Sequence, residues 1–276
     1  MDDAQKAVEA HYSRGGILDS ILRVLRDMGR DLRTLAPSDL APVDEFHVGG
    51  RDATIALANQ ASLKPGDRVL DVGCGLGGSV RYLASEWNCR VTGIDLTKEY
   101  VEVATALTQI LGLHEVTAFG QSGALNMPFR NGSFDMVWTE AVQMNIADKR
   151  AFYCEIARLL APGGRLAFLD LFQGERGDLY YPVPWAEESS ISFLAMPQTV
   201  REILQSLQFN VLHWEDKSRQ SVDWLAAAVE RSQSADPGRL GLHLLMGNSA
   251  RVKLENNIRN LREDRFVVIQ AIAEKV

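Results

Sequence analysis

Two carboxylates and a run of glycines stand where chemistry on a nucleotide would need them. The stretch Val69-Leu70-Asp71-Val72-Gly73-Cys74-Gly75-Leu76-Gly77-Gly78 ends an apolar segment on Asp71 and turns at once through closely spaced glycines. Glycine accepts positive φ and lets the backbone approach a ligand without interference from a Cβ. The spacing reads two ways: Gly73, Gly75 and Gly78 give G-x-G-x-x-G, the dinucleotide pattern, while Gly73, Gly75 and Gly77 give G-x-G-x-G. Asp71 separates the readings. A fixed carboxylate just before the first glycine repels a pyrophosphate held on the following helix N-terminus, yet suits a cofactor that carries an ammonium and a sulfonium. The run Arg90-Val91-Thr92-Gly93-Ile94-Asp95-Leu96 reads as the next strand, with Asp95 at its C-terminal end. An acid roughly 20 residues past such glycines accepts ribose hydroxyls whichever nucleotide is bound.

With these residues in place, the chain resembles the class I S-adenosylmethionine (SAM) dependent methyltransferases, in which D-x-G-x-G-x-G is followed by such an acid. Residues 124–138, from Ala124-Leu125-Asn126-Met127-Pro128 to Phe134-Asp135-Met136-Val137-Trp138, are similar to that family's third-strand loop and fourth strand. Residues 155–166, with Ala161-Pro162-Gly163-Gly164, are similar to its helix and turn into strand five. The likeness runs over about residues 45–216 and lies nearest the sarcosine and dimethylglycine N-methyltransferases and the quinone and natural-product methyltransferases grouped with them. It implies SAM as cofactor, with S-adenosylhomocysteine (SAH) as product. One departure concerns adenine: the family often has Asp where Gly123 stands, so the contact must come from elsewhere, Ser122 or backbone groups.

The resemblance carries further residues. Gly49 and Gly50 match a pair that wraps the methionine end of SAM, and the cofactor set is read as Tyr12, Gly49, Gly50, Asp71, Gly73, Cys74, Gly75, Asp95, Leu96, Ser122, Gly123, Ala124, Thr139 and Met144. Ligands of parallel α/β sheets bind at the carboxyl ends of the strands, where three segments converge. His47, in the segment before the glycine pair, and Glu140, directly after strand four, are the candidate catalytic residues. An imidazole with an ordinary pKa near 6.5 suits proton transfer, and Glu140 could balance a sulfonium or take a proton. Gln143 and Asn145 follow Glu140 and are expected to meet the acceptor. The third segment, Tyr180-Tyr181-Pro182-Val183-Pro184-Trp185, reads as a stiff aromatic loop; Tyr180, Tyr181 and Trp185 are expected to roof an apolar or cationic acceptor.

Positioning these residues takes alternating strands and helices. Strands are expected near 68–72, 90–95, 115–119, 134–138, 164–170, 209–215 and 266–272, helices near 17–35, 51–61 and 197–207, and the alternation gives an α/β, doubly wound Rossmann-like sheet. The sheet is mostly parallel with an antiparallel last strand. The organisation is a helical N-terminal cap over 1–50, a core over 51–216 with the aromatic loop at 171–196, a helical insertion over 217–263 serving as a substrate lid, and the last strand of the core in 264–276.

Composition bounds the rest. The 276 residues are 46% hydrophobic with a net charge of −7, and the basic clusters at 23–33 and 251–265 are interleaved with acids. Affinity for phosphate backbones comes from clustered Lys and Arg, so a nucleic-acid partner is excluded and those clusters read as solvated helix faces. Three scattered cysteines, Cys74, Cys89 and Cys154, suit a reducing compartment and lack metal-ligand spacing; no metal is expected. No apolar stretch is long enough to span a bilayer, and the polar, acidic N-terminus does not read as a signal peptide. A cytoplasmic monomer or homodimer is expected. The reaction leans to N-methylation of a small amine, with C- or O-methylation of an aromatic, quinol or terpenoid-like molecule as the alternative. From other classes, a SAM-binding protein without catalysis and an NAD-dependent oxidoreductase are the rivals.

Overall fold

The structure, a computed structural model, describes residues 1–233 and 238–276. Four helices precede the sheet: α1 (Asp3–Tyr12), α2 (Ile17–Asp27), α3 (Pro37–Asp44) and α4 (Gly50–Gln60). There follow β1 (Arg68–Val72), α5 (Gly78–Trp87), β2 (Arg90–Asp95), α6 (Lys98–Ile110), β3 (Thr117–Gln121), β4 (Phe134–Glu140), α7 (Lys149–Leu159), β5 (Leu160–Gln173), α8 (Pro197–Ser206) and β6 (Phe209–Asp216). The chain closes through α9 (Ser218–Gln233), α10 (His243–Met246), α11 (Ala250–Arg262) and β7 (Phe266–Lys275). Among the described residues no helix is long and apolar enough to cross a membrane.

The seven strands form one sheet in the order β3-β2-β1-β4-β5-β7-β6, with β7 antiparallel to both neighbours. A parallel strand buried on both faces is apolar on both, and β1 divides its side chains accordingly. Val69 joins a core with Leu57 and Ala58 of α4 and Val80 and Leu83 of α5. Leu70 and Val72 join the opposite core with Phe152, Ile156 and Leu159 of α7 and Val200 and Leu204 of α8. A third cluster ties Ile17, Ile21 and Leu25 of α2 and Leu40 and Val43 of α3 to Tyr100, Val103 and Leu107 of α6.

Two expectations shift. The helix expected over 17–35 ends at Asp27, because Gly29 takes φ +70° and its N–H turns back to the Arg26 carbonyl; a single turn at Leu32–Thr34 follows. The third strand begins at Thr117 rather than 115, since Val116 N–H closes a turn on the Leu113 carbonyl and Val91 pairs with Thr117. The region expected as a helical insertion holds α9, α10 and α11; its residues 234–237 lie outside the described residues.

Candidate functional site

At the carboxyl edge of the sheet lies a cavity of about 250 Å³. β1 brings Asp71 to it, and the turn after β1 bends through Gly73 at φ +74° and Gly75 at φ +53°. A Cβ on Gly73 would sit 2.5 Å from Val142 Cγ2, so the turn is also sterically closed to other residues. β2 brings Asp95, whose Oδ2 accepts from Gly75 N–H (3.0 Å) and whose Oδ1 accepts from Thr97 N–H (2.8 Å). The carboxylate is thereby fixed across two loops with lone pairs left for ligand hydroxyls.

The cavity's other end is a knot of buried acids and one imidazole. Glu140 accepts from Ser79 Oγ (2.6 Å), Trp138 Nε1 (2.8 Å) and Thr54 Oγ1 (3.1 Å). His47 Nε2 lies 3.0 Å from Glu45 Oε2, 3.2 Å from Thr54 Oγ1 and 3.7 Å from Glu140 Oε1. Burial alone would lower the His47 pKa, but the carboxylates of Glu140 and Glu45 outweigh it and lift it to about 9, so the ring is an imidazolium at neutral pH. Behind it, Asp44 and Arg81 form a buried ion pair at 2.6 Å, and burial holds Asp44 at about 6 against the pull of that guanidinium. Burial, with Glu140, Asp95 and Glu45 nearby, pushes Asp71 well above the usual carboxylate range.

This surplus of acids fits a cationic ligand. Asp44, Asp71, Asp95 and Glu140 all line the cavity, and Asp44 Oδ1 is buried without a hydrogen-bond partner. Buried acids need cations or donors, and the ammonium and sulfonium of SAM supply them where a pyrophosphate would add repulsion. Cys74 lines the cavity with its thiol pushed far up by burial, so it acts as a wall and not as a nucleophile.

A second, smaller chamber of about 40 Å³ adjoins the first and shares Tyr12, Phe46, His47 and Ala141 with it. Its remaining walls include Met144, Leu171, Trp185, Trp224, Leu225 and Leu254. Tyr12 Oη donates to Asn145 Oδ1 (2.9 Å), and the Asn145 amide donates to the carbonyls of Trp185 and Ile191. The segment after β4 is held from beneath. Asp170 accepts from the N–H groups of Val142 and Gln143, and the Lys149 ammonium donates to the carbonyls of Gln143, Ile146 and Phe193.

Of the residues expected from sequence, Tyr12, His47, Asp71, Gly73, Cys74, Gly75, Asp95, Leu96, Ser122, Ala124, Glu140 and Asn145 line the first cavity, and Met144 and Trp185 line the second. Others are placed elsewhere. Gln143 is fully buried with Oε1 accepting from Tyr153 Oη, which points it into the core rather than at an acceptor. Tyr180 is not a roof: its ring lies between the guanidiniums of Arg259 (3.6 Å) and Arg265 (4.1 Å), and Asn260 grips its backbone. Tyr181 packs on the core and lines neither cavity. Gly49, Gly50, Gly123 and Thr139 also line neither; Gly49 starts α4 at φ +89°, and Gly50 makes room for Trp224.

Sequence reasoning missed Gln5, Asp44, Phe46, Ser79 and Asn257. Gln5 closes a capping box with Asp2 at the start of α1, a signal legible in Asp2-Asp3-Ala4-Gln5. A Cβ at position 123 would sit 3.0 Å from Gln5 Nε2, so Gly123 admits the Gln5 amide into the space the family's Asp would occupy. The helix α11 was legible, but its polar residues read as solvated; Lys253, Asn257 and Asn260 are buried.

Comparison with known proteins agrees with this geometry. Residues 70–168 match a family model described as a methyltransferase domain. A probable chloroplastic tocopherol O-methyltransferase of Oryza sativa subsp. japonica is 41% identical over 114 residues, 41% of this chain and 31% of that one. A glycine/sarcosine/dimethylglycine N-methyltransferase of Actinopolyspora halophila is 23% identical over 219 residues, 79% of this chain and 38% of that one. Among solved structures, a geranyl diphosphate C-methyltransferase of Streptomyces coelicolor, with SAH bound, superposes with a TM-score of 0.72 at 16% identity, covering 100% of this chain and 99% of that one; at that identity the likeness is one of fold. The chain spans about a third to a half of the length of the curated relatives it matches first.

Proposed function

We propose that this chain is a SAM-dependent methyltransferase whose acceptor is a small, largely apolar molecule carrying a hydroxyl. The observation that carries the reading is the apolar chamber sharing one wall, Tyr12, Phe46, His47 and Ala141, with the acid-rich cavity. Asp95 is suited to the ribose, Gln5 and Ser122 to the adenine end, and Asp71 and Asp44 to the methionine ammonium. Bound SAM supplies a methyl group on a positive sulfonium for in-line transfer to a nucleophilic atom.

The chain's own contribution is alignment and exclusion of water, effects able to supply most of the acceleration for two oriented partners. A hydroxyl acceptor must also lose a proton. His47 already holds one at neutral pH, so it is the fixed cation of the knot. Glu140, lining the first cavity beside it, is the group placed to receive the proton.

A small amine is the second reading, and the carboxylates of Glu140 and Glu45 beside the shared wall favour it because they attract an ammonium, which would give its proton to Glu140 before the neutral nitrogen receives the methyl group. Against an amino-acid acceptor stands the chamber itself: among the described residues no Lys or Arg lines it to hold a second carboxylate. Incubation with methyl-labelled SAM and matched panels of phenols, quinols, terpenoid alcohols, simple amines and N-methylated amino acids tests the reading. Label in the first three panels supports it, label only in simple amines turns it to the second, label only in amino acids contradicts both, and SAM binding without label in any panel supports a non-catalytic SAM protein.

A further inference from the structure

We propose that Asn257 is the polar anchor of the apolar chamber, so that the acceptor is a hydrocarbon-rich molecule presenting an O–H or N–H donor to its side-chain carbonyl. The inference rests on reading that chamber as the acceptor site.

The helix α11 carries a polar row on its inner side at Lys253, Asn256, Asn257 and Asn260, spaced to share one face. Three of the four grip the segment that runs over them. Lys253 pairs with Glu187 (2.5 Å), Asn256 Nδ2 donates to the Pro182 carbonyl (3.0 Å), and Asn260 takes both the N–H and the carbonyl of Tyr180 (2.8 and 2.9 Å). Asn257 is the remaining one. It is 2% exposed, it lines the chamber, and its Oδ1 has no hydrogen-bond partner.

A buried acceptor left unpaired costs stability, and Leu171, Trp185, Trp224, Leu225 and Leu254, which line the chamber with Asn257, make its wall largely apolar. Among the described residues the other buried polar atoms without partners, such as those of Gln143 and His243, do not line this chamber. His47 and Tyr12 do line it but are engaged with Glu45 and Asn145. Asn257 is therefore the group free to select. A site built to hydrogen-bond one donor rejects the analogue lacking it, because the amide is then buried unpaired.

The test uses the full chain saturated with SAH and two probes of one shape, phenol and toluene, titrated by protein NMR. Toluene leaves water more readily, so a purely apolar chamber prefers it. The proposal expects phenol to bind at least about tenfold more tightly than toluene to the wild type. It expects Asn257→Leu to remove that preference while SAH affinity is kept. Equal or tighter toluene binding to the wild type overturns it, as does a phenol preference that survives in Asn257→Leu. If Asn257→Leu fails to fold, the wild-type comparison decides alone. Failure of SAH itself to bind instead overturns the cofactor reading, so the two failures are told apart.

Discussion

Asp95 and His47 show how single residues gain a role from what fixes them. Asp95 has both oxygens anchored by backbone N–H groups, so it is presented rigidly and needs no rearrangement to accept hydroxyls. Losing a hydrogen bond to a charged group costs about 1.5–3 kcal/mol, and Asp95→Ala is expected to weaken SAH binding at least about tenfold by calorimetry while the fold survives. His47 makes a prediction about pH. Its pKa is raised from 6.5 to about 9 in the fold, so the stabilisation from its proton is complete below about pH 6.5 and drains away as pH rises through about 9. The wild type is expected to lose more melting temperature between neutral pH and about pH 9 than His47→Gln, and parallel curves would contradict the charged knot. Asp71, Asp95 and the glycines were legible because their chemistry is local to one turn. Gln5, Ser79 and Asn257 were not, because each matters only through a neighbour that folding brings up.

At the scale of elements, the site depends on a buried joint among helices that holds Asp44 in place. Arg81 of α5 is fully buried; it pairs with Asp44 of α3 and donates to the Leu76 carbonyl and to Thr108 of α6. Removing one partner of a buried pair leaves an uncompensated charge and costs about 3–5 kcal/mol. Arg81→Met is therefore expected to lower stability in urea unfolding by about that much, and a loss below about 1 kcal/mol would show the pair to be dispensable. The strands and the helices α4 and α8 were legible from apolar period and from glycine and proline punctuation. The end of α2 and the direction of the 178–187 loop were not, since an apolar period does not reveal that Gly29 turns the chain or that two arginines will enclose Tyr180. That enclosure makes Tyr180→Ala a structural change: it is expected to lower the melting temperature and leave methyl transfer by the folded protein unchanged, and a tenfold rise in the KM for the acceptor with SAH affinity kept would restore Tyr180 to the acceptor site.

Across the whole molecule, the order β3-β2-β1-β4-β5-β7-β6 gathers the carboxyl ends of β1, β2 and β4 at one edge, which brings Asp71, Asp95 and Glu140 to the first cavity. The helices α1 and α3 close the cavity from one side, while α9, α11 and Leu242, the N-cap of α10, close the chamber from another. On the proposed reading the cofactor takes the acid-rich room and the acceptor the apolar one, the two meeting at a wall that includes His47. A fold of this kind serves many chemistries, so the argument for SAM rests on charge: six carboxylates, Asp2, Asp44, Asp71, Asp95, Glu140 and Asp148, line the first cavity, which favours a cationic sulfonium ligand and opposes a pyrophosphate. The measurement that tests this most directly is isothermal titration of the full chain with SAM, SAH and NAD under one set of conditions. Binding of SAM and SAH with NAD at least about a hundredfold weaker, a gap of ~2.7 kcal/mol, is the predicted result, and NAD binding as tightly as SAM would contradict the account.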